Sequence, residues 1–300
     1  MAGRLYLHIG PPKTATTAFQ YALQNGIPGQ LVYGGARQPR SSGKSELSGR
    51  LNRVCNRYRK SVSADIQEVR TDIAAILSEG TDLLISEEGL LVDGLTAPFQ
   101  AKIANLGLIV GSFGPVVIFC ARDPLEGLPS LYQELYRNLP LGQKLSFERF
   151  LRGNQAAVFD YPALVEVLRR AGFQNIRVID FERLVSGSIT FPEIFGPEIG
   201  TEQKLVIAQT NSGSFCADKH LRRLPPLQLR DLVPGRRLFA KIIHRKIRQN
   251  AIIEKIGTTF GGLALTKERA KRLELSESAA NRLRMGYAKI VADQGSLLRG

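Results

Sequence analysis

Residues 4–9, RLYLHI, make a short apolar run that Gly10, Pro11 and Pro12 end, the pattern of a buried strand. From Thr14 to about Asn25 the period changes. Ala18, Phe19, Tyr21 and Ala22 fall at helical spacing and Gly26 supplies the stop. Ile66, Val69, Ile73, Ile76 and Leu77 predict an amphipathic helix over 65–78, ended by Gly80. DLLIS, 82–86, reads as a strand, and another helix is expected near 96–106. PVVIFCA, 115–121, is apolar throughout, as a central parallel strand covered on both faces would be. A helix over 161–172 and a strand over 176–182 complete the alternation. Strands alternating with helices imply crossover connections and a three-layer α/β/α fold with a central parallel sheet.

Two stretches break this rhythm. Residues 34–63 are rich in Gly, Ser and Arg, with Arg37, Arg40, Lys44, Arg50, Arg53, Arg57, Arg59 and Lys60 against the single acid Glu46. They predict a mobile segment over a site, or a solvated loop without a role. After about residue 215 the strand signals stop. Residues 219–250 carry ten Lys/Arg and one acid, Asp231, with Leu238, Phe239, Ile242, Ile243 and Ile247 along one face of a basic helix. That helix either packs with its charges outward or docks on an anionic substrate or membrane face. A closing helix is expected at about 276–294. The expected organisation is a core over 1–215 and a helical basic extension over 216–300 packed on the same domain.

The 300 residues, 43% hydrophobic, suffice for a sizeable core. A formal net charge of +14 and a pI near 10.0 favour polyanionic partners: nucleic acid, anionic membrane, acidic polysaccharide or a phosphorylated cofactor. Cys55, Cys120 and Cys216 are too scattered for a disulfide framework, and His8, His220 and His244 too separated for a zinc site. No run of about 18 apolar residues suggests a membrane span, and MAGRLYLHIG is too quickly interrupted for a signal peptide. The expected location is cytoplasmic, or peripheral at the inner membrane face through 219–250.

The chemistry concentrates in HIGPPKTATT, residues 8–17. In a parallel sheet, ligands bind at the carboxyl ends of the strands. This stretch leaves such an end and enters a helix N-terminus, where backbone N–H groups and the helix dipole favour an anion. Thr14, Thr16 and Thr17 add hydroxyl donors and Lys13 a positive charge, so the set suits phosphate or sulfate. It is not a Walker A loop, because Lys13 follows Pro12 rather than Gly. A tight turn with a capping threonine explains Gly10 and Pro11 but not the lysine.

HIGPPKTATT resembles the 5′-phosphosulfate loop of sulfotransferases that use 3′-phosphoadenylyl sulfate (PAPS), whose bacterial, carbohydrate-type members read H-I-G-x-P-K-T-G-T-T. Ala15 stands where that family has Gly, which suits a backbone outside the left-handed region. VVIFCARDPLEGLPSLYQELYR, 116–137, resembles the family's 3′-phosphate segment, with Arg122 and Ser130 at its Arg-x₇-Ser spacing. DLLISEEGL, TNSGSF (210–215) and the closing LSES…GYAKIVADQGSLL are similar to further family segments, whereas 219–260 matches none. The resemblance implies a P-loop-like fold and transfer of a sulfuryl group from PAPS to a hydroxyl, expected on a carbohydrate or glycolipid, with no metal and no nucleic-acid partner. It places Pro12, Lys13, Thr14, Ala15, Thr16 and Thr17 around the 5′-phosphosulfate and Arg122 and Ser130 at the 3′-phosphate. The general base is Glu88 as first choice, then Glu87, then His8. The alternatives are a P-loop-like ATP-dependent kinase and a non-enzymatic polyanion-binding protein.

Overall fold

The computed structural model describes residues 2–26, 31–37, 46–57, 63–92, 97–199, 204–207, 223–224, 269–273 and 275–293. The basic helix expected within 219–250, apart from residues 223–224, and the TNSGSF segment lie outside the described residues. So do 38–45 and 58–62 of the basic 34–63 stretch. Two compact units are present: residues 1–128, 153–214 and 276–300 in the first, and 129–152 and 215–275 in the second.

The first unit holds the sheet. Its strands are β1 (Leu5–His8), β2 (Leu31–Tyr33), β3 (Asp82–Ser86), β4 (Val116–Ala121) and β5 (Asn175–Asp180), in the order β2-β3-β1-β4-β5. Every pairing is parallel; His8 lies level with Ser86 on one side and Ile118 on the other. The crossovers are helical: α1 (Thr16–Asn25), α2 (Leu47–Asn56), α3 (Ser63–Ser78) and α4 (Phe99–Val110). The helices then run as α5 (Pro124–Leu135), α6 (Leu141–Leu145), α7 (Phe147–Leu151), α8 (Asn154–Ala157), α9 (Tyr161–Arg170), α10 (Phe181–Val185) and α11 (Phe191–Phe195). The last helix is α12 (Glu277–Ala292), which packs on α9. Among the described residues no helix is long and apolar enough to cross a membrane.

Buried side chains from both faces hold these layers. Tyr6, Leu84, Ile118, Cys120 and Ile179 pack on one face of the sheet with Phe19 and Leu23 of α1 and Phe191, Ile194 and Phe195 of α11. Central strands buried on both faces read as unbroken apolar runs, as β4 does.

One expectation is corrected. Part of the basic 34–63 stretch is not a mobile segment but helix α2, whose Ser48, Leu51, Val54 and Cys55 are buried and which packs on α3 and α4. Arg50 forms ion pairs with Glu68, at 2.6 Å, and Asp72 of α3, so part of the positive charge is paired at the surface within the chain. The three-residue edge strand β2 was not expected either.

In the second unit, Tyr132 is enclosed by the rings of Tyr136, Phe147 and Phe150, with centroids 5.1–5.6 Å away. Its hydroxyl donates to the carbonyls of Gln143 and Lys144, so a buried polar tip is satisfied. A short antiparallel pair, β6 (Arg223–Leu224) with β7 (Arg269–Arg272), belongs to the same unit.

Candidate active site

The connection after β1 runs to β2 at one edge, and that after β4 runs to β5 at the other. Neighbouring strands whose connections diverge open a crevice at their carboxyl ends. Lys13 and Arg122 meet there: Arg122 Nη1 donates to the Lys13 carbonyl at 3.0 Å, across 109 residues of sequence.

The loop from Ile9 to Ala15 is shaped for close approach. Ile9 N–H donates to the Ile118 carbonyl and Thr14 Oγ1 donates to the Pro11 carbonyl at 2.7 Å, fixing both arms of the turn. Gly10 has no side chain because a Cβ there would collide with the Thr16 hydroxyl. Lys13 (φ 68°) and Ala15 (φ 60°) both adopt the left-handed conformation on either side of Thr14. Such alternation turns successive backbone N–H groups toward one point and makes a concavity for an anion.

Ala15 is also the N-cap of α1; its carbonyl accepts from Phe19 N–H at 2.9 Å, but it has no side chain with which to cap. The helix therefore begins without a side-chain cap and without an acid in its first turn, leaving its dipole uncompensated. Thr16 Oγ1 is buried and has no hydrogen-bond partner among the described residues. Thr17 is half-buried beside it, Pro12 is half-buried in the turn, and Lys13 is exposed. A tetrahedral oxyanion fits this donor set: backbone N–H groups, a buried hydroxyl and an exposed ammonium.

The methyl of Ala15 sits in the conformation it tolerates least, contrary to what its presence suggests. A non-glycine residue there costs about 1–2 kcal/mol. Ala15→Gly is therefore expected to raise unfolding stability by about 1 kcal/mol, read as a higher denaturant midpoint with an unchanged slope. An unchanged midpoint would mean that residue 15 is not left-handed.

Arg122 is 7% exposed; its Nε has no hydrogen-bond partner among the described residues, while its two terminal nitrogens are engaged. Besides Lys13, its Nη2 pairs with Glu126 at 3.3 Å, and its guanidinium lies 4.5 Å over the Phe181 ring. Tyr161 holds its backbone twice: the hydroxyl accepts Arg122 N–H at 2.8 Å and donates to Arg122 C=O at 2.7 Å. The guanidinium thus braces the loop that carries Lys13. Ser130 is half-buried on α5 and belongs to the second unit.

The three candidate bases sit at adjacent strand ends. Glu87 N–H donates to the His8 carbonyl at 2.9 Å, so β3 delivers both glutamates beside the exit of β1. Glu87 is 4% exposed, and its Oε1 accepts Gly89 N–H at 2.7 Å, capping the short turn Glu88–Leu90. Glu88 is half-buried in that turn. His8 is 1% exposed; Nδ1 is hydrogen-bonded to Ser86 Oγ at 2.8 Å, and Gln20 Nε2 donates to the same oxygen at 3.1 Å. Its Nε2 has no partner among the described residues, and the Phe19 ring lies against it, centroids 4.4 Å apart and tilted by 55°. Burial pushes His8 down to about 3, so the imidazole is neutral and a weak base.

Sequence reasoning missed the supporting residues. Gln20 had a signal, a polar residue between Phe19 and Leu23 on the buried side of α1. Tyr161 and Phe181 had none, since their roles depend on the placement of Arg122.

No family model matches the chain, and no curated protein matches it. Among solved structures, a sulfotransferase from Alicyclobacillus acidocaldarius is similar, with 13% identity over 99% of this chain and 96% of that one and a TM-score of 0.37. At that identity and score the likeness assigns no residue of this chain a role.

Proposed function

We propose that the chain is a sulfotransferase that moves a sulfuryl group from PAPS to a hydroxyl of a carbohydrate or glycolipid. The observation that carries this reading is the loop between β1 and α1: two left-handed residues, an uncapped helix N-terminus and a buried, unpartnered threonine hydroxyl around one exposed lysine. Each feature costs folding free energy, and each is offset when a multiply charged oxyanion occupies the turn. The motif resemblance, and not the loop geometry, selects phosphosulfate over phosphate.

In this reading the backbone of residues 14–17 with Thr16 and Thr17 holds the 5′-phosphosulfate. The acceptor oxygen forms its bond to sulfur as the bond from sulfur to the 5′-phosphate oxygen breaks in line. The electron pair leaves with 3′-phosphoadenosine 5′-phosphate, and the acceptor's proton passes to a carboxylate. Lys13 offsets the charge that grows on the leaving oxygen. Glu88 is the base we favour, being half-buried at the strand end beside β1, whereas Glu87 is committed to a cap. The net charge of +14 suits an anionic acceptor.

Thermal stabilisation by 3′-phosphoadenosine 5′-phosphate tests the reading. At about 100 times its Kd the nucleotide should add roughly 2.7 kcal/mol of stability. Adenosine 5′-phosphate should add much less. A shift with ATP–Mg²⁺ alone would replace the proposal by a kinase, and no shift with any nucleotide would remove it. Arg122→Ala separates two roles for that residue. Loss confined to the 3′-phosphorylated nucleotide means direct contact, while equal loss for both nucleotides means that Arg122 acts through the Lys13 carbonyl.

A further inference from the structure

A second basic feature of the first unit lies at the amino end of the sheet, opposite the turn at Lys13. Arg4, Tyr6 and His8 alternate along β1 and its lead-in and so share one face. The register sets Tyr6 level with Val116, Val116 with Asn175 and Ile118 with Arg177, which puts Asn175 and Arg177 on that same face. There, Gly3, Arg4, Phe113, Gly114, Val116, Asn175 and Arg177 line an open cavity of about 280 Å³. Its lining holds no acid among the described residues. Asp82, whose Oδ1 accepts Arg4 N–H at 2.7 Å, is not part of it.

The polar groups at this corner are incompletely satisfied. Arg177 Nη1 donates to the Ile194 carbonyl at 3.0 Å, but its Nε is buried without a partner among the described residues. The hydroxyl of Tyr6, a core residue beside the cavity and not in its lining, is in the same state. Burial holds Arg177 below its ordinary value; Tyr6 opposes this in part, and the Arg4 charge adds a smaller lowering. Arg70 lies outside the lining: its guanidinium, 5.8 Å from the centroid of the Phe113 ring, donates to the Ile109 carbonyl and to Ser112 Oγ. Arg4 and Arg177 thus bring two positive charges to one concave site, whose field attracts a dianion.

We propose that this cavity binds a tetrahedral dianion, sulfate or phosphate, free or carried on a small ester, between the guanidinium groups of Arg4 and Arg177 with the Asn175 amide. The volume lies near the lower end of small-molecule sites, about 300–1,000 Å³, which suits an anion or a small ester rather than a nucleotide. The site does not depend on sulfuryl transfer, and its position at the amino ends of β1, β4 and β5 separates it from the loop at Lys13, which follows the carboxyl end of β1.

The test isolates it from that loop. In a Lys13→Ala background, inorganic phosphate and glycerol 3-phosphate are titrated against chloride at constant ionic strength, and the melting temperature is followed. A saturable rise is expected. Adding Arg4→Ala should weaken its midpoint by about tenfold or more, the worth of a charge-assisted contact. Arg177→Met should do the same. Arg177 also holds the Ile194 carbonyl and is half-buried, whereas Arg4 is exposed, so truncating Arg4 disturbs the packing less. A tighter midpoint for the ester assigns the site to an ester, and equal midpoints assign it to the anion alone. No saturable rise, or midpoints unmoved by Arg4→Ala, would overturn the proposal.

Discussion

Lys13→Ala is expected to lower sulfuryl transfer by about two to three orders of magnitude, the usual cost of removing one preorganised group at a developing oxyanion. The fold should barely notice. Lys13 is exposed, and its left-handed backbone is as costly for alanine as for lysine. Lys13→Gly sharpens the contrast. Glycine enters that conformation freely, so this variant should gain about 1 kcal/mol of stability while staying as inactive as the alanine variant. Stability and turnover then move in opposite directions at one position, which no general weakening of the loop would produce. The measurement is product formation from PAPS with a panel of sugar acceptors, alongside denaturant unfolding of all three proteins. Turnover within threefold of wild type in Lys13→Ala would remove Lys13 from the chemistry.

The legibility of this site in the sequence follows from the range of its interactions. β1, β3 and β4 announced themselves because parallel strands buried on both faces are apolar runs, and burial is a local property of composition; the edge strand β5 was legible from Ile176, Val178 and Ile179, set among the polar Asn175, Arg177 and Asp180. β2 is three residues long and leaves Val32 43% exposed, so it carries no such run. Helix α2 hid behind Gly49 and its arginines. Its inward positions, Ser48, Leu51, Val54 and Cys55, are helical in spacing but include only two large aliphatic residues. Its charges read as solvated because Glu68 and Asp72, their partners, lie on another helix.

In the site, the loop and its lysine were legible as composition. The left-handed backbone at Lys13 and Ala15 was not, because neither residue prefers it and the surrounding structure imposes it. Part of that imposition is visible in Arg122, which holds the Lys13 carbonyl, and in Tyr161, which holds Arg122. A strand-end arginine can be read from sequence as an anion ligand. That its guanidinium braces the loop at Lys13 depends on a contact between residues 109 apart.

The second large effect concerns His8 and acid. Its folded value is about 3, lowered by burial, against about 6.5 for a histidine in an unfolded chain. Between those values the unfolded chain holds a proton that the folded chain does not. Stability contributed by the neutral, buried imidazole is therefore complete above about pH 6.5 and is lost as the pH falls toward 3, by about 1.4 kcal/mol per pH unit. Carboxylates titrate in part of this window, so the quantity to measure is the difference between wild type and His8→Asn. Asparagine can still pair with Ser86 Oγ but cannot take up the proton. Chemical denaturation from pH 7 to 4.5 should show a wild-type slope steeper by one proton. Parallel slopes would mean that His8 is not buried neutral beside Phe19. If the slopes do differ, the neutral ring is a structural support for the Ser86–Gln20 network at the foot of the anion loop. Turnover in His8→Asn at pH 7.5 should then be lost only in proportion to loop disorder, whereas a general base would take with it the lower limb of the pH–rate profile.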